Sequence, residues 1–385
     1  MTHRIVVAGA GYAGLTAANR MARRLRGTGT TVTLVNARDR FVERVRLHQL
    51  AAGQRLRDLP LRDLVRDTGV RLVVADVTAV DPAARTVRLG AAPYRIEYDT
   101  LVYALGSVAD LDGVPGAAAH AFAVASFDAA VRLRDHLADD PPRTGVLAVV
   151  GGGLTGIETA AELAEAHPAR RIALVTAGAL GEGLSARGGE YLRRALRRVG
   201  VAVHEGTSVT EVTDRGLVLG GGTDLAADAV VWATGFRAPA LAREAGFGVD
   251  ARGRITVDDT LRSTSHPQVY AVGDAAALPT PDGRTSRMSC QTGLPMGGSV
   301  ADIVVARLAG REPGPARVRY VWQNISVGRR DGLTQFVRSD DSPVAATLTG
   351  RASARFKETV TRATVQRVRR PGPPLPFARF GPSGG

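Results

Sequence analysis

One pattern of residue types occurs twice in this chain, and it restricts the fold more than any other feature. Ile5–Ala8 is a short apolar run. It is followed by Gly9-Ala10-Gly11-Tyr12-Ala13-Gly14, a stretch of helical period over Leu15–Leu25, and a second apolar run at Thr31–Val35. Val146–Val150, Gly151–Gly156, Ile157–Ala166 and Arg171–Val175 repeat the same order. A period that changes from continuous run to helix and back predicts strand, helix and parallel strand. The three glycines of each turn have separate tasks. The first permits the tight turn, the second lets the main chain approach a pyrophosphate, and the third lets helix and strand pack closely. The helix N-terminus then faces the anion. Gly9, Gly11 and Gly14 thus predict one dinucleotide site, and Gly151, Gly153 and Gly156 a second.

In such units a carboxylate about 20 residues further on holds the ribose hydroxyls. Asn36 takes that place in the first unit, with Arg38 supporting the adenosine half. The second unit ends in Val175-Thr176-Ala177, with neither a carboxylate nor an arginine to hold a 2′-phosphate. That favours NADH over NADPH. Glu158, close behind the second triplet, is expected in the first turn of its helix. There it either satisfies the helix dipole or lies near the nicotinamide.

The rest of the composition excludes more than it assigns. Net charge is +13, carried almost entirely by arginine, with Lys357 as the one lysine. The arginines are scattered, without the aromatic interleaving of a single-strand binder, so no nucleic-acid partner is expected. No run of about 18 apolar residues marks a membrane span. His3 and Arg4 lead directly into a strand without a secretory leader, which predicts a cytoplasmic protein, peripheral contact with the inner membrane face being left open. Cys290 is the single cysteine. It cannot form a redox disulfide within the chain and reads as a small buried hydrophobe. No metal site is marked.

Further segments carry a family resemblance. Tyr98–Ser107 is similar to the crossover from FAD domain to NAD domain in the two-dinucleotide flavoproteins, the pyridine nucleotide-dependent oxidoreductases, with Leu105 where a threonine is usual. Asp228–Gly235 resembles their second crossover, and Val269–Ala275 their second FAD fingerprint. The resemblance implies an α/β protein of two Rossmann-like domains of the three-layer ββα type, plus a small α+β C-terminal segment. FAD would occupy residues 1–112 and 238–312. The NAD domain, 113–237, would be inserted between them, with an interface segment at 313–370 and a disordered tail at 371–385.

It also implies noncovalent FAD held by Gly9, Gly11, Gly14, Asn36, Arg38, Arg44, Gln49, Ala104, Gly106, Gly273, Asp274, Gln291 and Thr292. NAD(P)H would lie on Gly151, Gly153, Gly156, Glu158, Thr176, Thr234 and Gly235. Lacking paired thiols, the chain is most similar within this family to type II NADH dehydrogenases. Leu47–Gly53 resembles their segment beneath the isoalloxazine, Cys290-Gln291 their Ala-Gln pair, and Ser326–Arg330 and Leu348–Arg351 their C-terminal region. Pro295 and Met296 replace polar residues, and the C-terminus lacks tryptophan-rich character.

The activity implied is hydride transfer from NAD(P)H to flavin, then reduction of a quinone or quinone-like small molecule. Gln291, Glu158 and His48 are the candidate catalytic residues. A pathway-specific flavoenzyme or a reductase feeding a ferredoxin-type protein partner, and an NADH-sensing role without turnover, are the alternatives, and a homodimer is left open. Phe356, Val360 and Ala363 fall at helical spacing within a basic stretch, Ala352–Val368. Such a helix either rests weakly on anionic lipid or covers the flavin domain or a second copy.

Overall fold

A computed structural model describes residues 2–139, 145–280 and 283–371. Two five-stranded parallel sheets dominate it. The first runs in the order Val269–Ala271, Thr100–Tyr103, Arg4–Ala8, Thr31–Asn36, Val70–Val74. The second runs Val201–His204, Arg171–Val175, Val146–Val150, Ala229–Trp232, Ala121–Ala123. In each unit a three-stranded antiparallel sheet is inserted at the same topological point, just before the strand that returns beside the first. These inserts are Val77–Asp81, Thr86–Leu89 and Arg95–Glu97 in one unit, and Val209–Thr213, Gly216–Leu219 and Asp224–Ala226 in the other. The fold is α/β with two Rossmann-like units.

The central strands are covered on both faces, which is why they are continuous apolar runs. Ile5 to Ala8 and Leu101 to Tyr103 are buried throughout. Helix Tyr12–Arg24 buries Leu15, Ala17, Ala18 and Met21 and lies against helix Cys290–Leu308. A Cβ on Gly297 would stand 2.3 Å from the Ala13 carbonyl oxygen, so a glycine is needed where these helices meet. Both glycine-loop helices start earlier than their apolar period indicates, at Tyr12 and Leu154. The third glycine of each triplet is already helical.

Residues 322–349 form a three-stranded antiparallel sheet, Trp322–Val327, Asp331–Val337 and Pro343–Thr349, followed by helix Gly350–Arg369. Ile325, Val327 and Leu333 join the core of the second unit beside Leu47, Leu50 and Ile157. The helix reaches the first unit, where Asn19 donates to the Val368 carbonyl (2.8 Å) and Arg23 to that of Arg369 (2.8 Å). Its buried face is Ser353, Val365 and Val368, which corrects the face expected from Phe356, Val360 and Ala363. Ala363 is exposed, and Phe356 makes an edge contact with Trp322. The helix covers protein on two sides, so packing and not a single lipid-facing stripe orders its side chains. Among the described residues no helix is long and apolar enough to cross a membrane. From residue 372 on, the expected tail lies outside the described residues.

Candidate functional site

The two glycine loops have the same construction. A Cβ on Gly9 would lie 2.3 Å from the Ala104 carbonyl oxygen, and one on Gly14 1.9 Å from the Gly9 oxygen. In the second unit a Cβ on Gly151 would lie 2.9 Å from the Ala233 oxygen, and one on Gly156 1.8 Å from the Gly151 oxygen. Gly9 and Gly151 also have positive φ, +103° and +126°. The middle glycines differ in kind: a Cβ on Gly11 or Gly153 meets nothing within 4 Å. Each is the N-cap residue of its helix, and neither helix has a side-chain cap or an acidic residue in its first turn. Ser185 and Ser289, by contrast, cap their helices. Open space before uncapped N–H groups is the cradle a pyrophosphate needs, so both loops fit a dinucleotide.

The ribose position of the first loop is turned inward. Asn36 Oδ1 accepts from the Ala10 N–H (2.9 Å), and its Nδ2 donates to the Arg38 carbonyl (2.9 Å). Arg38 pairs with Asp128 and lies over Phe127, on helix Phe127–Asp139. In the second loop Thr176 is buried against Gly152. Gly235, following Thr234, has φ +73° and accepts from the Asp110 N–H (3.1 Å).

Residues from two of the expected fingerprints converge on Arg44. Ser107 donates to Asp274 Oδ2 (2.6 Å) and accepts from Arg44 Nη1 (3.0 Å), which lies 3.5 Å from the same carboxylate. Gly106 and Gly273 take positive φ on either side. The Gly273 N–H donates to Met296 Sδ (3.3 Å), so the methionine found in place of a polar residue keeps a polar contact. Cys290 is half-buried, short of the full burial expected of it, and desolvation, then the Asp274 charge, pushes its thiol up, leaving it protonated. Gln291 Oε1 accepts from Arg287 Nη2 (2.7 Å), and Thr292 is buried with its hydroxyl on Ser289 and Tyr320.

A second cluster is buried where helix Leu47–Ala51, helix Leu154–Ala166 and the C-terminal segment meet. Glu158 Oε1 accepts from the Ser326 N–H (2.9 Å), from its hydroxyl (3.1 Å) and from Lys357 Nζ. Burial alone would raise this carboxyl, but Lys357 and the Ser326 N–H outweigh it and hold it below the usual range. Glu158 is the fifth residue of its helix, which corrects its expected first-turn place. The dipole does not account for it, because its partners come from the C-terminal sheet and helix. His48 Nδ1 lies 3.9 Å from Glu158 Oε2, too far for a hydrogen bond, and its Nε2 is buried without a partner among the described residues. Burial lowers the imidazole to about 4 despite the neighbouring carboxylate, so it is neutral at pH 7. Gln49, one residue on, accepts from Arg46 (3.4 Å). Arg46 also pairs with Glu358 (2.9 Å). A cavity of about 20 Å³, bounded in part by Arg46, Gln49, Ser326, Arg329 and Lys357, has room for about one water.

Lys357 and Arg287 are the site residues that motif reading misses, and Ser326 opens a segment read for its resemblance without a role of its own. Lys357 carried one signal: it is the lone lysine among 50 basic residues.

Residues 3–297 match the family model described as pyridine nucleotide-disulphide oxidoreductase. An NADH dehydrogenase-like protein of Mycobacterium tuberculosis is 39% identical over 320 residues, covering 76% of this chain and 78% of that protein. A type II NADH:quinone oxidoreductase of Staphylococcus haemolyticus is 26% identical over 95% of this chain and 96% of its own length. Among solved structures, the sulfide:quinone oxidoreductase of Aquifex aeolicus superposes with a TM-score of 0.82, at 18% identity, over 98% of this chain and 94% of that one.

Proposed function

The chain belongs to the pyridine nucleotide-disulphide oxidoreductase family, and on that footing we propose that it oxidises NADH and delivers the electrons, through FAD, to a quinone or quinone-like small molecule. It is an NAD(P)H oxidoreductase of the flavin-dependent kind. FAD, when bound, supplies the two-electron relay between nicotinamide and acceptor. The open N–H groups behind Gly11, with Asp274, would hold it. Residues 1–112 and 238–312 carry FAD in this reading and 113–237 carry the nicotinamide. The absence of an arginine after Thr176 favours NADH.

The observation that carries the acceptor is the buried Lys357–Glu158 pair. Reducing a quinone takes two electrons and two protons. A hydride brings both electrons and one proton, so the second proton must come from solvent through the protein. Lys357 Nζ donates to the Glu158 carboxylate and to the Ser326 hydroxyl, a chain of groups of the kind that passes protons, whereas a guanidinium does not release one. His48, neutral at pH 7, is not the reservoir. An iron–sulfur protein acceptor takes electrons alone and gives such a pair no task. The relatives named as NADH:quinone oxidoreductases support the same reading.

The test is anaerobic reduction of the FAD-loaded protein by NADH and by NADPH separately, then steady-state turnover with menadione. Faster reduction by NADH and menadione turnover without added protein are expected. Turnover that begins only when a ferredoxin-type protein is added would overturn the acceptor. A protein that binds no FAD would overturn the whole reading.

A further inference from the structure

The geometry points to Arg287 as a positioning residue that fixes the side-chain amide of Gln291 so that its Nε2 hydrogens are offered to a carbonyl oxygen of the electron acceptor. This rests on the quinone reading above. A guanidinium only donates, so the atom of Gln291 facing Arg287 Nη2 at 2.7 Å must be Oε1. That determines the amide orientation chemically. Nε2 then faces away from Arg287 and has no hydrogen-bond partner among the described residues.

The guanidinium is itself held by an ion pair and by an aromatic ring. Nη1 lies 2.8 Å from Asp341 Oδ2, and Gln323 Nε2 donates to Asp341 Oδ1 (3.2 Å). The guanidinium carbon lies 4.6 Å from the centroid of the Tyr320 ring, a cation–π distance. The Arg287 N–H donates to the Tyr320 hydroxyl (3.2 Å), and that hydroxyl meets Thr292, the residue after Gln291. The chain 285–292 is thus tied to the C-terminal sheet by one arginine whose Nη2 grips Gln291, its buried Nε having no hydrogen-bond partner among the described residues. Four positions after Gln291 stands Pro295, which has no N–H to take the Gln291 carbonyl in the helix. Gln291 is the second residue of that helix, and its side-chain amide takes its orientation from Arg287. A freely turning amide would present acceptor and donor equally. A clamped one selects ligands carrying a carbonyl or another hydrogen-bond acceptor.

The test compares wild type with Arg287→Leu, Arg287→Lys, Asp341→Asn and Gln291→Ala, each loaded with FAD. Readouts are the menadione KM, ferricyanide turnover, the rate of flavin bleaching by NADH, and the Kd of a 2-alkyl-4-quinolone followed by flavin fluorescence. For Arg287→Leu, menadione KM and quinolone Kd are expected to rise about 10-fold, the effect of losing one charge-assisted positioning contact. Ferricyanide turnover and bleaching by NADH stay within twofold, because neither needs a donor to a carbonyl. Arg287→Lys restores part of the loss, and Asp341→Asn loses less than Arg287→Leu. In the Gln291→Ala background Arg287→Leu adds nothing further, since it acts through that amide. An equal loss with and without Gln291, or a KM and Kd unchanged in Arg287→Leu, would overturn the inference. If wild type reduces ferricyanide but not menadione, the quinone reading fails by itself. Quinolone binding then decides the positioning role on the same 10-fold criterion, and no binding by wild type overturns it.

Discussion

Lys357, on the C-terminal helix, donates to the carboxylate of Glu158, on the helix of the second glycine loop, across 199 positions of sequence. Both side chains are nearly enclosed, at 15% and 10% exposure. Removing one member of such a pair leaves a buried charge unpaired, whereas removing both leaves none. Lys357→Met is therefore expected to lower unfolding free energy in urea by about 3 kcal/mol. The double variant with Glu158→Gln recovers a large part of that loss. Menadione turnover falls at least about 10-fold in both while bleaching by NADH persists. Additive stability losses would show that the two residues do not act as a pair.

His48 gives the protein an acid sensitivity with a defined window. Its folded value, about 4, lies below the ordinary 6.5 chiefly through burial, with the charge of Glu158 opposing. Over that interval the unfolded chain binds a proton that the folded chain does not. Stability is thus lost as pH falls from 6.5 towards 4, and the penalty is absent above 6.5. Between pH 7 and pH 5 it comes to about 2 kcal/mol. Glu158 works in a lower window: its depressed carboxyl contributes above about 4.5 and loses that contribution below it. Urea denaturation at pH 7 and pH 5 brackets this window, to which His167, also lowered by burial, adds its own share. His48→Gln should flatten the difference, and identical slopes in wild type and variant would refute the assignment.

The two units are legible in the sequence because everything that specifies them is local. A run, a glycine triplet and a helical period lie within about 30 residues, and each glycine acts on a neighbour the strand order supplies. The C-terminal sheet is not legible in that way. Its strands interleave Ser, Thr, Gln and Asn with apolar residues without a clean alternation, and its core partners, Leu47 and Ile157, lie far upstream in the sequence. Lys357 and Arg287 escape for the same reason. Their chemistry depends on Glu158 and Asp341, which only the fold brings to them. The helical period of Phe356, Val360 and Ala363 even misidentifies the covered face, because the helix packs on two elements and one stripe cannot describe it.

Cys290 is expected to be dispensable for electron transfer. Burial and the nearby Asp274 carboxylate keep the thiol protonated, and the thiolate is the reactive form. Cys290→Ala should keep menadione turnover within twofold, and wild type should resist iodoacetamide at pH 8. Loss of turnover in Cys290→Ala, or rapid alkylation of the native protein with loss of activity, would place the thiol in the chemistry.

The first glycine loop separates folding from cofactor binding at two residues three positions apart. At Gly14 a methyl would stand 1.9 Å from the Gly9 carbonyl oxygen, main chain that cannot move without parting helix from strand. At Gly11 a methyl meets no protein atom within 4 Å and stands in the space before the helix N-terminus, where a pyrophosphate would have to come. Gly14→Ala should therefore destabilise the apoprotein by at least about 2 kcal/mol, as overpacking against fixed atoms does. Gly11→Ala should leave the apoprotein melt within a few degrees of wild type while FAD affinity drops about 10-fold or more, read from quenching of flavin fluorescence. The contrast is the decisive part. If Gly11→Ala binds FAD as wild type does, the uncapped N–H groups of Tyr12, Ala13 and Gly14 are not what holds the pyrophosphate, and the cofactor must be anchored chiefly through Arg44, Ser107 and Asp274.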